Sequence, residues 1–124
     1  MPAYDRSFTP PAAVADVTVF HPTTKASTAV RGKLDTGADL TVIPAVLVRD
    51  LSLSPKGRVW TRGYDSTYSH RLVYYVRLLI EGFEIPIVRC VAANRSDVLV
   101  GRNVLNRFVA TLDGKNLYFE LRDK

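Results

Sequence analysis

Turn-forming residues cut this chain into pieces that suit short strands better than long helices. Pro2, Pro10 and Pro11 fall within the first stretch, and His21-Pro22-Thr23-Thr24-Lys25, Pro55-Lys56-Gly57, Gly63-Tyr64-Asp65-Ser66, Glu81-Gly82 and Asp113-Gly114-Lys115-Asn116 follow. Proline removes a backbone donor and glycine opens the left-handed region, so each cluster interrupts regular structure. Between them Ala15, Val17 and Val19 alternate with polar residues as a first strand, and residues 27–34 form a second. Residues 59–61, 68–80, 83–92, 97–100, 108–112 and 117–121 are β-rich in the same way. Two places read as helix. Pro44 suits the first turn of a short helix ending near Leu51, with Leu47 and Leu51 on its inner face, and residues 102–107 make a helical turn. The fold class that follows is all-β, with two brief helices.

The length of 124 residues and a hydrophobic fraction of 47% fit one core of ordinary size. Residues 1–15 read as an extended, partly mobile arm and residues 16–124 as the domain. The net charge of +5 raises the question of a nucleic-acid partner, but the arginines and lysines are dispersed with no run that tracks phosphates, so none is expected. Cys90, the one cysteine, has no disulfide partner in the chain and reads as a small buried hydrophobe. No basic start followed by an apolar stretch is visible, and the longest apolar run, residues 42–48, falls far short of a membrane span. The expected location is the cytoplasm, or a soluble fragment of a larger protein. His21 and His70 lack ligand spacing, so no metal and no cofactor is expected.

The residues with chemistry sit at the end of the second strand, in Leu34-Asp35-Thr36-Gly37-Ala38-Asp39. Hydrolysing a peptide bond without a metal or a covalent nucleophile takes one carboxylate to accept a proton from water and one carboxylic acid to polarise the carbonyl. Two close carboxylates share a proton and titrate as a pair, as in the aspartic-protease dyad. Asp35 can supply one of them, while Gly37 leaves room for close backbone approach and Thr36 offers a hydroxyl for bracing. Downstream, Val98-Leu99-Val100-Gly101-Arg102-Asn103-Val104-Leu105 adds an apolar strand, a glycine and a helical turn. With both segments in hand, the chain resembles the retropepsin-like aspartic proteases from about residue 30 to residue 121.

The resemblance implies a retropepsin-like barrel with its active site at a homodimer interface. It implies that Val100 and Gly101 pack across the Asp35 loop and that Arg102 pairs with Asp39, with Thr36, Gly37 and Ala38 supporting the catalytic Asp35. Only one Asp-Thr-Gly occurs, so a second chain must supply the other carboxylate of an endopeptidase acting on peptide or protein substrates. The 117–121 strand and the N-terminal arm are candidates for an intersubunit sheet, or for an edge within the chain. Gly63, Tyr64, Asp65 and Ser66 fall where the family carries its substrate-binding flap, and Trp60 and Tyr64 are candidates to line subsites or simply to pack. Family flaps are often richer in glycine. A catalytically weak or inactive dimerisation or peptide-binding module of the same fold is therefore the alternative.

Overall fold

The computed structural model describes residues 1–62 and 67–123. Its strands are β1 (Val14–Phe20), β2 (Ser27–Leu34), β3 (Thr41–Pro44), β4 (Gly57–Arg62), β5 (Tyr68–Ile80), β6 (Phe83–Ala93), β7 (Val98–Val100), β8 (Val109–Asp113) and β9 (Tyr118–Arg122). Two short helices, α1 (Ala45–Asp50) and α2 (Arg102–Leu105), interrupt them. The larger sheet runs β1-β2-β7-β3-β6-β5-β4, and β1 also pairs with β5, so six strands close into a barrel with β4 outside it. Closure removes the free edges of those six strands. The fold is the all-β retropepsin-like barrel expected.

Alternation directs the core. Val17 and Val19 on β1 and Val76, Leu78 and Ile80 on β5 are buried, and Val98 and Val100 fill the barrel from β7. Leu47 and Leu51 turn inward at α1, and Cys90 is fully buried on β6. Burial pushes the Cys90 thiol up to about 12, because an apolar surround disfavours the thiolate. The β5–β6 hairpin closes through Glu81 and Gly82, at φ 46° and 85°, with Ile80 opposite Phe83. Two consecutive positive φ values match the twist of the strands.

Several local expectations are corrected. Residues 41–44 form a strand, β3, which pairs in parallel with β6, and Pro44 closes that strand, so the helix begins at Ala45. The second helix stops at Leu105. The arm is shorter than expected, since β1 starts at Val14. It is also bonded to the body. Phe119 N–H donates to the Pro2 carbonyl at 3.0 Å, Tyr4 N–H to Leu117 at 2.8 Å, and Leu34 N–H to Ala13 at 3.0 Å. Ala3 bridges Tyr118, so β9 lies between the arm and β8 within one chain. No helix among the described residues is long and apolar enough to cross a membrane.

Candidate active site

The position of Asp35 follows from strand order. β2 and β3 lie on either side of β7, with β2 parallel to it and β3 antiparallel, so the 35–40 connection must cross the end of β7. Leu34 is level with Val100 in the β2–β7 register, and Asp35 N–H donates to the Val100 carbonyl at 2.9 Å. The two segments singled out in the sequence, 65 residues apart at Asp35 and Val100, therefore leave the barrel side by side.

Gly101 sits directly under the crossing. A Cβ there would lie 2.6 Å from the Leu40 carbonyl carbon, 2.7 Å from its oxygen and 2.9 Å from Thr41 N, all of them backbone atoms. Only glycine lets the two backbone segments touch. Arg102 then ties the loop from the other side. Its N–H donates to the Ala38 carbonyl at 2.8 Å, its Nη1 to the Thr36 carbonyl at 2.8 Å, and its Nη2 to the Asp39 carboxylate. A planar guanidinium can reach a carbonyl and a carboxylate at once, which a lysine ammonium does poorly.

Beneath these contacts lies a polar network that the sequence did not reveal. Thr41 is fully buried. Its hydroxyl donates to Asn103 Oδ1 at 2.9 Å and accepts the Gly101 N–H at 3.1 Å, and its own N–H reaches the same Oδ1 at 3.0 Å. Asn103 Nδ2 donates onward to the Arg89 carbonyl at 2.7 Å. Every polar atom of this group has a partner, which is the condition for a buried network to stabilise. Thr41 carried no signal beyond its place after the loop, whereas Asn103 lay in view beside Arg102.

The Asp-Thr-Gly turn lies on the exposed side of the loop. The Asp35 carboxylate is half-buried and accepts the Gly37 N–H at 2.8 Å, while Thr36, Gly37 and Asp39 are exposed. One carboxylate per chain stands at this position. Asp35, Thr36, Gly37, Ala38, Asp39, Gly101 and Arg102 are thus brought together. Gly63, Tyr64, Asp65 and Ser66 lie outside the described residues. Trp60 is exposed on β4 and stacks on His70, with ring centroids 4.6 Å apart. Two surface grooves, one lined by Asp16, Arg31 and Glu81 and the other by His21, Lys56 and Tyr75, do not include Asp35. Among the described residues no cluster of His, Cys, Asp and Glu could hold a metal ion.

Comparison with known proteins agrees with this geometry. A family model described as aspartyl protease matches residues 16–104, more than two thirds of the chain. No curated protein matches the sequence. Among solved structures, a retropepsin-like aspartic protease from Rickettsia conorii superposes with a TM-score of 0.64 at 18% identity, covering 97% of this chain and 86% of that one. A foamy viral protease-reverse transcriptase gives 0.64 at 17% identity over 82% of this chain, which spans only 12% of that longer polypeptide. The EIAV protease bound to the inhibitor HBY-793 gives 0.57 at 19% identity, covering 77% of this chain and 86% of that one. At these identities the likeness establishes the fold.

Proposed function

The chain belongs to the aspartyl protease family, and from that premise we propose that it is an endopeptidase whose catalytic dyad is Asp35 from each of two identical subunits. The observation that carries this reading is the clamp on the 35–40 loop. Gly101 and Arg102 hold an exposed Asp-Thr-Gly turn against the end of the barrel, so the carboxylate is presented outward rather than consumed in packing. A two-fold axis beside Gly37 would bring the second carboxylate alongside the first.

In the dimer the two carboxyls share one proton. The ionised Asp35 takes a proton from a water held between them as its oxygen attacks the peptide carbonyl, and the protonated Asp35 donates a hydrogen bond to the developing oxyanion. Proton transfer to the leaving nitrogen then breaks the C–N bond. Thr36 would brace each loop against the other. Substrate would lie extended beneath the β4–β5 hairpin, with Gly63, Tyr64, Asp65 and Ser66 as its flap and alternate side chains in pockets.

A free strand edge supports self-association. β8 pairs with β9 and has no second neighbour among the described residues, and Val109 and Leu112 on it are each 46% exposed. An open edge of this kind, with Asp113 at its end as its one charged residue, invites pairing with another chain. The arm and β9, by contrast, bond to each other within the chain.

The test is digestion of a diverse peptide mixture between pH 3 and 8, read by mass spectrometry, with Asp35→Asn as control and sedimentation to follow the dimer. Cleavage by the wild type alone, falling away at both acid and neutral limits as a shared-proton dyad requires, is expected. A folded dimer that binds peptides and cuts none of them would replace this reading with the peptide-binding module.

A further inference from the structure

The β4–β5 hairpin projects beyond the barrel and carries chemistry that proteolysis does not require on its outer face. Its register pairs Arg58 with Leu72, Trp60 with His70, and Arg62 with Tyr68. Side chains two apart on a strand share a face, and cross-strand partners share it too. These six residues therefore form one surface. All are exposed, Trp60 by 67% and Tyr68 by 63%, and none is acidic. The opposite face behaves differently. It carries Val59 and Thr61, which are half-buried, opposite the exposed Arg71 and Ser69, ends at the buried Val73, and turns its one arginine back to the Ala92 carbonyl at 3.0 Å.

The pairs on the outer face are not random neighbours. The Trp60 and His70 rings lie 20° from parallel, and the Arg62 guanidinium is 5.9 Å from the Tyr68 ring centroid. His70 covers one side of the indole and leaves the exposed ring available to a second planar group. Leaving a tryptophan and a tyrosine in water forgoes the burial that usually places them in cores, so this exposure is itself informative. From this surface we infer that the outer face of the hairpin binds single-stranded nucleic acid, with bases stacking on Trp60 and Tyr68 and phosphates meeting Arg58 and Arg62.

Single strands are held by aromatic platforms alternating with cationic groups along a track, and β-sheet faces present them in this way. Rings at Trp60 and Tyr68 serve successive bases, while the two arginines flank the Trp60–His70 pair along β4. A lipid surface fits less well. Insertion needs an apolar side, and here arginine and histidine share the rows that hold the aromatics, with Leu72 the one aliphatic member. The dispersed arginines argued against a nucleic-acid partner when read in order along the chain. Alternation along β4 puts two of them, Arg58 and Arg62, on one face, and strand pairing sets Tyr68, His70 and Leu72 on that face beside them.

Trp60 is the sole tryptophan, so its emission reports on this face directly. The full chain is titrated with twelve-nucleotide oligo-U and oligo-dT at 50 and 200 mM salt, following fluorescence and anisotropy together. Expected are quenching of Trp60 that tracks the anisotropy rise, an affinity loss of about fivefold or more in Trp60→Ala with recovery in Trp60→Phe read by anisotropy, and a log–log salt slope reduced by about 1.4 in Arg58→Gln/Arg62→Gln. Circular dichroism checks that each variant is folded. Absent binding at 50 mM salt, binding without a change in Trp60 emission, or quenching that survives loss of both arginines would each overturn the inference. So would a blue-shifted Trp60 on phosphatidylserine vesicles with no response to either oligonucleotide.

Discussion

The two ends of the described structure that bear on function are built in opposite ways. At the Asp35 loop, three segments converge, backbone touches backbone at Gly101, and a fully buried threonine joins Asn103 and Gly101 through its hydroxyl. At the β4–β5 hairpin, two strands pair with each other, and one of their faces consists of exposed side chains. The difference fits the roles proposed for the two. A carboxylate that is to meet its twin needs a fixed backbone, because small displacements at a reacting centre cost rate. A surface or flap that receives an extended polymer needs accessible side chains and freedom to move.

The sharpest way to break this contrast is Gly101→Ala. The added methyl meets the Leu40 carbonyl group at under 3 Å, and no side-chain rotation can relieve a backbone contact. A loss of about 3 kcal/mol or more is expected, in the upper range for overpacking, seen as a drop in Tm on the order of 10 °C. Trp60→Ala at the hairpin should change stability by less than about 0.5 kcal/mol, since an exposed ring far from the core carries little folding energy. Equal shifts in the two variants would mean that the hairpin is integral to the fold and that the contrast is false.

Thr41→Val tests the polar part of the clamp at nearly constant volume. The Gly101 N–H, which is buried, loses its acceptor, and Asn103 Oδ1, which is partly buried, loses one of its donors. The cost expected is about 1–3 kcal/mol by denaturant titration, the penalty of stranded buried polar groups. Thr61→Val on the hairpin, where the hydroxyl reaches the Ser69 carbonyl at 3.4 Å in an exposed position, should be close to neutral.

How much of this was legible in the sequence depended on distance along the chain. Local signals worked: alternation marked β1, Glu81-Gly82 marked the hairpin turn, and Leu47 with Leu51 marked the inner face of α1. Parallel pairing between distant segments leaves no local trace. Four residues, Thr41 to Pro44, therefore looked like a lead-in to helix until β6 and β7 made them a strand. The Asp35 and Gly101 segments were visible because their residue types are unusual together, but the reason for the glycine, the Leu40 backbone crossing it, is a tertiary fact. Thr41 is chemically ordinary, and its burial alone gives its hydroxyl a task. Arg58 and Arg62 share a face by alternation along β4 alone, whereas the aromatic partners beside them, His70 and Tyr68, appeared with the register.

A chemical probe follows the clamp without mutation. Cys90 lies opposite Thr41 in the β3–β6 pairing and is fully buried. Its thiol should resist alkylation by iodoacetamide at pH 8 in the native state and react at once in denaturant. The pH dependence has a definite sign. The folded pKa is raised from 9.0 to about 12, so the stabilisation is intact below pH 9 and is lost as the pH rises toward 12. Stability at pH 10 should fall by about 1 kcal/mol relative to pH 8 from this group, and Cys90→Ala should remove that component. Fast alkylation at pH 8, while acrylamide quenches Trp60 no faster than it quenches a buried indole, would reverse the assignment of rigid and accessible ends.

The smallest stability effect within the clamp is expected at Asp39→Asn. The Arg102–Asp39 pair is mostly solvent-exposed, at 44% and 84% of the two side chains, and Arg102 keeps its bond to the Thr36 carbonyl when the charge is removed. Such pairs are worth about 0.2–1 kcal/mol, so Tm should move little. Cleavage should suffer more than folding. The pair fixes the angle at which the 35–39 turn leaves the barrel, and positioning errors act on kcat rather than on the unfolding equilibrium. Measured together, an unchanged Tm with a fall in kcat assigns Arg102 and Asp39 to orienting Asp35, whereas matched losses would make them simple supports of the fold.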